Sequence, residues 1–308
     1  MTERHLPYPI NDTSIVVKYD KPSQYDLVPT VPVQTNYVPI GEKFTIHEGF
    51  DCYITGSKDS KAAILFFYDV FGYSNNVFQE ADILGQCGYR VMVPNFWLNE
   101  PFLPELLGDE IIFKACEVRA YYPRTKKNIE AAKKYLIETE HFENIFVVGE
   151  CLGGKIAKNT SENDDFYIGC GVIHPSLVNN DDLAKSNVPI VIISGSNDPD
   201  YTDGINAIGK KSFGEFSYYK VFPDVFHGWL SALADFSNPI ISKRANESLS
   251  IIATYFDQIL KARLSNPKAT KRLDQSKNKT DASSKQATIT SQKKDPRKNY
   301  TYSGMPEN

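Results

Sequence analysis

The segment Val147-Val148-Gly149-Glu150-Cys151-Leu152-Gly153-Gly154 restricts this chain more than any other. Asn144 to Val148 reads as a short buried strand, and the residues from Gly153 onward read as the start of a helix. The G-x-C-x-G between them has the pattern of a strand–turn–helix junction that lifts a nucleophile above a sheet, with cysteine where serine is commoner. Space explains the glycines. A sharp turn around the nucleophile leaves no room for side chains two positions before or after it.

A nucleophile elbow needs a sheet behind it, and the chain supplies one. Lys43–Ile46 and Phe50–Ile54 suggest a first hairpin. Ala62–Tyr68 is a near-continuous apolar run, as expected of a central parallel strand covered on both faces. The loop Asp69-Val70-Phe71-Gly72-Tyr73-Ser74 follows, then a helix over Asn75–Cys87 stopped by Gly88, then a strand over Tyr89–Pro94. Residues 95–110 mix aromatics and prolines without a clean period, which suits a loop or cap. A helix around Ile111–Tyr121 meets Pro123, which should break or kink it. Thr125–Glu138 reads as an amphipathic helix. Beyond the cysteine come strands at Tyr167–His174, Pro189–Ser194 and Phe216–Phe222, with helices near Asp203–Lys210 and over Ile241–Leu264. Strands alternating with helices after an initial hairpin predict an α/β fold with a doubly wound, mostly parallel sheet and an antiparallel edge.

Composition sets the outer bounds. Residues 1–40 carry six prolines (7, 9, 22, 29, 32 and 39) and no helical period, and read as an extended arm with a disordered tip. Residues 41–264 hold the domain. From Ser265 the chain turns to Lys, Ser, Thr, Gln and Asn, too polar to offset its own ordering entropy, so 265–308 is expected to be a disordered basic tail. Over residues 264–308 there are 10 Lys/Arg and 4 Asp/Glu, a net +6 that leaves −10 for the rest of a chain whose total is −4. An acidic domain gives no reason to expect nucleic acid on it, and the scattered basic residues of the tail read as a solvated segment. The five cysteines are far apart, with no C-x-x-C pair and no histidine spacing suited to zinc, so neither a metal nor another cofactor is expected. The first 30 residues lack an apolar stretch of the signal-peptide kind, and no run approaches 18 apolar residues. These features point away from the membrane and toward a reducing compartment, the cytoplasm, with the nucleus as the alternative. They leave the oligomeric state open.

Cys151 as a nucleophile requires a base, a group to orient that base, and donors for an oxyanion. The strand ending at Ser194 runs into Gly195-Ser196-Asn197-Asp198-Pro199-Asp200, and the last strand runs into Pro223-Asp224-Val225-Phe226-His227-Gly228-Trp229. Both segments fall at the C-terminal edge of the sheet, where open α/β sheets collect their catalytic groups. Cys151, Asp198 and His227 thus follow in the order nucleophile, acid, histidine, each after a predicted strand. Asp200 is an alternative acid, and His174, which also ends a strand in His174-Pro175-Ser176, a rival base that otherwise shapes the site's wall. Cys52, Cys87, Cys116 and Cys170 lack the glycine frame and read as packing residues.

These residues resemble the dienelactone hydrolase family, a branch of the α/β-hydrolases with a cysteine nucleophile. The resemblance rests on Gly149-Glu150-Cys151-Leu152-Gly153-Gly154, on Asp69-Val70-Phe71-Gly72, on Gly195-x-x-Asp198 and on Phe226-His227-Gly228, and spans roughly residues 43–262. Gly72, Asp69 and His174-Pro175-Ser176 look most like its fungal and eukaryotic members. The resemblance implies an α/β-hydrolase fold with Cys151 as nucleophile, His227 as base, Asp198 as orienting acid, and the N–H groups of Leu152 and Val70 as the oxyanion hole. In the bacterial members a glutamate at the position of Asp69 holds the resting thiol; here that side chain is one methylene shorter. The arginines that grip the substrate carboxylate there correspond to Ser231 and about Asn99 here, so an anionic dienelactone has no evident anchor. Phe96, Trp97, Phe102 and Trp229 suggest an aromatic, apolar site for a small ester or lactone. A binding protein that keeps the fold without turnover is the alternative, and a thiol redox sensor a third.

Overall fold

The computed structural model describes residues 27–97 and 109–265, with the side chains of 109–113 excepted. The tip of the proline-containing arm, Asn99, Phe102 and the basic tail fall outside the described residues. The chain divides into two compact units, Met1–Ala262 and Arg263–Asn308. The sheet belongs to the first.

Eight strands form that single sheet: β1 (Glu42–His47), β2 (Phe50–Thr55), β3 (Ala63–Phe67), β4 (Arg90–Pro94), β5 (Ile145–Glu150), β6 (Tyr167–Ile173), β7 (Ile190–Gly195) and β8 (Tyr218–Phe222). Their order is β1-β2-β4-β3-β5-β6-β7-β8. β1 and β2 make the hairpin and join the sheet antiparallel to β4; every later pairing is parallel. The chain therefore moves outward from β3 to β4, then returns past β3 to β5. That reversal puts the topological switch point between β3 and β5, the two strands leading to Asp69 and Cys151.

Seven α-helices lie among the described residues, six of them between strands. α1 (Asn75–Gln86) opens on Ser74, whose hydroxyl accepts the Val77 N–H at 3.2 Å, and closes at Gly88, where φ is +97°. α2 spans Asp109–Ala120 and α3 spans Tyr122–Glu138. Pro123 does separate the two, but it does so from inside the first turn of α3, so that helix begins three residues before the expected Thr125. Proline fits there because the N–H it lacks would have no intrahelical acceptor. α4 (Leu152–Asn163) follows β5, α6 (Thr202–Gly209) follows β7 and α7 (Pro239–Ser265) ends the domain. The five-residue α5 (Asn180–Ala184) is unanticipated. Its start is fixed by a reciprocal capping box between Asn179 and Asp182, a signal too local for hydrophobic periodicity to show.

All residues of β3, β5, β6 and β7 are buried, as strands covered on both faces must be. α7 covers one face, where Phe256 stacks on Phe146 with ring centroids 4.0 Å apart. The described part of the N-terminal arm is extended and tied to α7 and α1 by polar contacts. Val28 N–H donates to Thr254 Oγ1, Val33 N–H to Asn246 Oδ1, and the Tyr37 hydroxyl to Asp82 Oδ2.

Candidate active site

The register of the parallel strands aligns their C-terminal ends. Phe67 pairs with Gly149, Glu150 with Ile173, Ile173 with Ile193, and Gly195 with Phe222. The residues just past those ends (Asp69, Cys151, His174 to Ser176, Asp198 and His227) consequently share one edge of the sheet.

Cys151 is the turn between β5 and α4, and its backbone sits at φ +48°, ψ −116°. Non-glycine residues rarely hold such a conformation, which costs on the order of 1–3 kcal/mol and persists only where the surroundings enforce it. Three backbone hydrogen bonds do so. The Cys151 N–H donates to Ile173 O at 3.1 Å, and its carbonyl accepts from Gly154 N at 3.1 Å and Ser176 N at 2.8 Å. The flanking glycines are there for the space expected of them. A Cβ on Gly149 would lie 2.1 Å from Gly153 O, and one on Gly153 would lie 2.1 Å from Phe67 O. The strained residue also sits at the N-terminus of a 12-residue helix, whose first N–H groups have no intrahelical acceptor.

His227 lies within reach. Its Nδ1–H donates to Asp198 Oδ1 at 2.6 Å, and its own N–H donates to Asn197 Oδ1 at 2.7 Å. Asp198 is fixed in turn, because its Oδ2 accepts the Gly195 N–H at 2.7 Å. Burial alone would discharge the imidazole. The bond to Asp198 and the nearby Cys151 sulfur outweigh it, and the His227 pKa is raised to about 10. The alternative acid, Asp200, instead accepts from the Thr202 N–H and hydroxyl at the start of α6.

His174 stands beside His227, with ring centroids 4.8 Å apart, and has no solvent exposure. Its Nε2 is 2.5 Å from Leu230 O, and a carbonyl can only accept, so that nitrogen carries the proton. Burial and the neighbouring His227 push its pKa down to about 3. His174 is thus a neutral wall residue, packed on its other side against Trp229 at 4.8 Å. Trp97 lies in an aromatic cluster with Tyr68 and Phe96, and the Arg119 guanidinium sits 5.0 Å above its ring.

Asp69, one methylene shorter than the glutamate that holds the thiol in the bacterial members, bonds to backbone. Its Oδ1 accepts from Phe71 N at 2.9 Å and its Oδ2 from Ala232 N at 3.0 Å, which ties the Val70 loop to the segment after His227. Burial nonetheless raises its pKa. Val70 follows it at the same edge, and Leu152 opens α4, so the Leu152 N–H precedes the first intrahelical acceptor. Ser231, at the position of a bacterial arginine, turns its hydroxyl onto Gly228 O.

Two features do not show in the sequence. Ser176 Oγ lies 3.3 Å from Cys151 Sγ and 3.3 Å from His227 Nε2. The only advance signal is its place in His174-Pro175-Ser176, after a strand lying between those of Cys151 and Asp198. The second is a carboxyl pair. Glu150 and Glu80 of α1 are both fully buried, with no hydrogen bond of regular geometry to either among the described residues. Burial first, and for Glu150 the facing Glu80 next, raise both pKa values, that of Glu80 to about 8. A carboxyl whose proton affinity is raised by folding stabilises the fold fully below its unfolded pKa, and that contribution is lost as pH rises through the folded value. Glu150→Gln is therefore expected to flatten the pH dependence of stability. Its melting temperature should gain on the wild type between pH 5 and pH 8.5, and a constant difference across that range would refute the pairing.

No metal-ligating group of three or more His, Cys, Asp or Glu occurs among the described residues, and no described helix is long and apolar enough to cross a membrane.

Comparison with known proteins identifies the family. Residues 50–260 match the dienelactone hydrolase family. An uncharacterized AIM2 family protein of Schizosaccharomyces pombe is 26% identical over 73% of this chain and 94% of its own length. The human carboxymethylenebutenolidase homolog is 28% identical over 49% of this chain and 62% of its own. Among solved structures, the dienelactone hydrolase-like promiscuous phosphotriesterase P91 from metagenomic libraries superposes with a TM-score of 0.53 at 14% identity, covering 72% of this chain and 98% of that one. A likeness at that identity speaks for the α/β-hydrolase fold. With the match covering more than half the residues, the chain belongs to the dienelactone hydrolase family, a family of ester and lactone hydrolases.

Proposed function

We propose that this protein hydrolyses a small carboxylic ester, lactone or thioester with Cys151, His227 and Asp198 as its triad and a thioacyl-enzyme as intermediate. The observation that carries the reading is the His227 imidazole, held by Asp198 at 2.6 Å beside a cysteine in a strained elbow. In this scheme Cys151 Sγ attacks the acyl carbon while the oxyanion rests on the Leu152 and Val70 N–H groups. His227 takes the thiol proton, returns it to the leaving oxygen, and then activates the water that releases the acid. Ser231, where the bacterial members carry an arginine, supplies no positive anchor, and the buried Trp229 packs on His174, so the reading favours an uncharged, apolar acyl group. The five unpaired thiols favour a reducing compartment such as the cytoplasm.

Rapid-quench mass spectrometry with an activated p-nitrophenyl ester tests it. The expected result is one acyl group on the peptide containing Cys151, formed before steady state and removed by turnover. An adduct that forms but never clears would favour the alternative, a binding protein retaining the fold. That alternative is motivated by the engaged Asp69 and the missing arginines.

A further inference from the structure

The family resemblance gives Ser176 no catalytic role, yet its hydroxyl contacts both the Cys151 sulfur and the His227 imidazole. We propose that Ser176 is a further catalytic residue, a hydroxyl relay that carries the proton from Cys151 Sγ to His227 Nε2. The proposal rests on the reading of Cys151 and His227 as nucleophile and base, and extends it from three residues to four.

The geometry is symmetric. Ser176 Oγ is 3.3 Å from Sγ and 3.3 Å from Nε2. The first distance is ordinary for a contact to sulfur. The second is at the long end for O–H···N, a looseness common in catalytic contacts before substrate arrives. A hydroxyl is one donor and two acceptors, so it can serve both protonation states without moving its oxygen. With a neutral pair, S–H donates to Oγ and O–H donates to Nε2. With the ion pair, Nε2–H donates to Oγ and O–H donates to the thiolate. Passing between them breaks the S–H bond and forms an O–H bond on Ser176, while the original hydroxyl proton forms the N–H bond on His227. One proton leaves sulfur, one reaches nitrogen, and the serine ends as it began.

The backbone around Ser176 is built to hold this position. His174 at φ +35° and Leu177 at φ +60° flank it, two non-glycine residues in left-handed conformations within four positions. Five contacts fasten the segment. His174 N–H donates to Ile193 O at 2.6 Å, His174 Nε2–H to Leu230 O, and the buried Tyr201 hydroxyl to Pro175 O at 3.1 Å. Ser176 N–H holds the Cys151 carbonyl at 2.8 Å, and Pro175 packs so closely on Gly154 that a Cβ there would lie 2.8 Å from it. The Ser176 loop is thereby fastened to the elbow itself. Strain kept at a site in this way is characteristic of function rather than of packing. The titratable groups facing the relay are Asp198 and His174 around His227, and Glu150 and Cys116 around Cys151.

The test measures alkylation of Cys151 by iodoacetamide from pH 5 to 10 on the full chain, in wild type, Ser176→Ala and Ser176→Thr, alongside ester hydrolysis by these and Cys151→Ala. Ser176→Ala leaves every backbone hydrogen bond of the loop in place. Its alkylation rate at pH 7 is expected to fall by about 100-fold, the lower end for losing a proton-transfer group. The midpoint of its pH profile should move upward, and its rate should converge on the wild type at the alkaline end, where the thiol ionises without help. Threonine, which keeps the hydroxyl, should restore most of the rate. A wild-type profile for Ser176→Ala overturns the relay, and so does a loss that is uniform across pH and unrescued by threonine. Ester hydrolysis retained in Cys151→Ala would instead remove the underlying nucleophile reading, whatever Ser176 does.

Discussion

Cys151→Ala is expected to lose at least about 10⁴-fold in kcat/KM toward small activated esters, the scale on which a triad acts together. The residual rate would come from whatever the Leu152 and Val70 N–H groups and substrate binding still contribute. His227→Ala should fall to a similar level, because a thiol without its base and a base without its thiol are both incomplete. The double variant should be scarcely slower than either single one, since groups that work as a unit do not lose rate additively. Asp198→Asn keeps a side chain of the same shape but puts an amide where His227 Nδ1–H now donates at 2.6 Å, so the imidazole loses the partner that fixes its tautomer. Its activity should lie with the single variants rather than with the wild type. Folding should be unaffected by Cys151→Ala, which removes only a half-buried sulfur. Steady-state assays with a p-nitrophenyl ester, paired with far-UV circular dichroism, check all four. Activity within tenfold of wild type in Cys151→Ala would end the proposal of covalent catalysis through this residue.

How much of this is legible in the sequence depends on the range of the physics involved. The elbow is readable because its constraints are local: two glycines and a nucleophile within five residues, after an apolar strand. Asp198 and His227 are readable because each directly follows a strand, and parallel strands in register bring their ends to one edge. Ser176 follows a strand too, but serine is too common in loops to stand out, and its role appears only as two distances measured across the fold. Glu150 is visible as a carboxyl beside the nucleophile, while its partner Glu80 lies on α1, 70 residues earlier, where no pattern links the two. Asp69 shows the opposite limit. Its position at the end of β3 follows from topology, but the side chain answers to the nearest orphan donors, and those are Phe71 N and Ala232 N.

Gly153→Ala should be among the most damaging single methyl groups that can be added to the described domain. Its Cβ would lie 2.1 Å from Phe67 O and 2.5 Å from Tyr68 O, backbone atoms at the end of a central strand that no rotamer change can move aside. The elbow and β3 would have to separate. Overpacking of a well-packed interior costs about 1–3 kcal/mol and occasionally more, and a clash with backbone belongs at the upper end, so a loss of about 3 kcal/mol or more is expected. Two glycines provide the scale. Gly154→Ala would meet Pro175 Cβ at 2.8 Å, a contact that the Ser176 loop can partly relieve, and should be milder. Gly209 ends α6, and a Cβ there would meet nothing within 4 Å, so alanine should be neutral or stabilising by up to about 1 kcal/mol on helix propensity alone. Urea denaturation of the three variants orders them directly. The same displacement would also part Leu152 on α4 from Val70 after β3, so whatever Gly153→Ala protein remains folded should hydrolyse esters poorly even with Cys151, His227 and Asp198 intact. A Gly153→Ala protein as stable as wild type would mean that the elbow tolerates a gap between β3 and α4, and the two N–H groups would then have no fixed separation with which to hold an oxyanion.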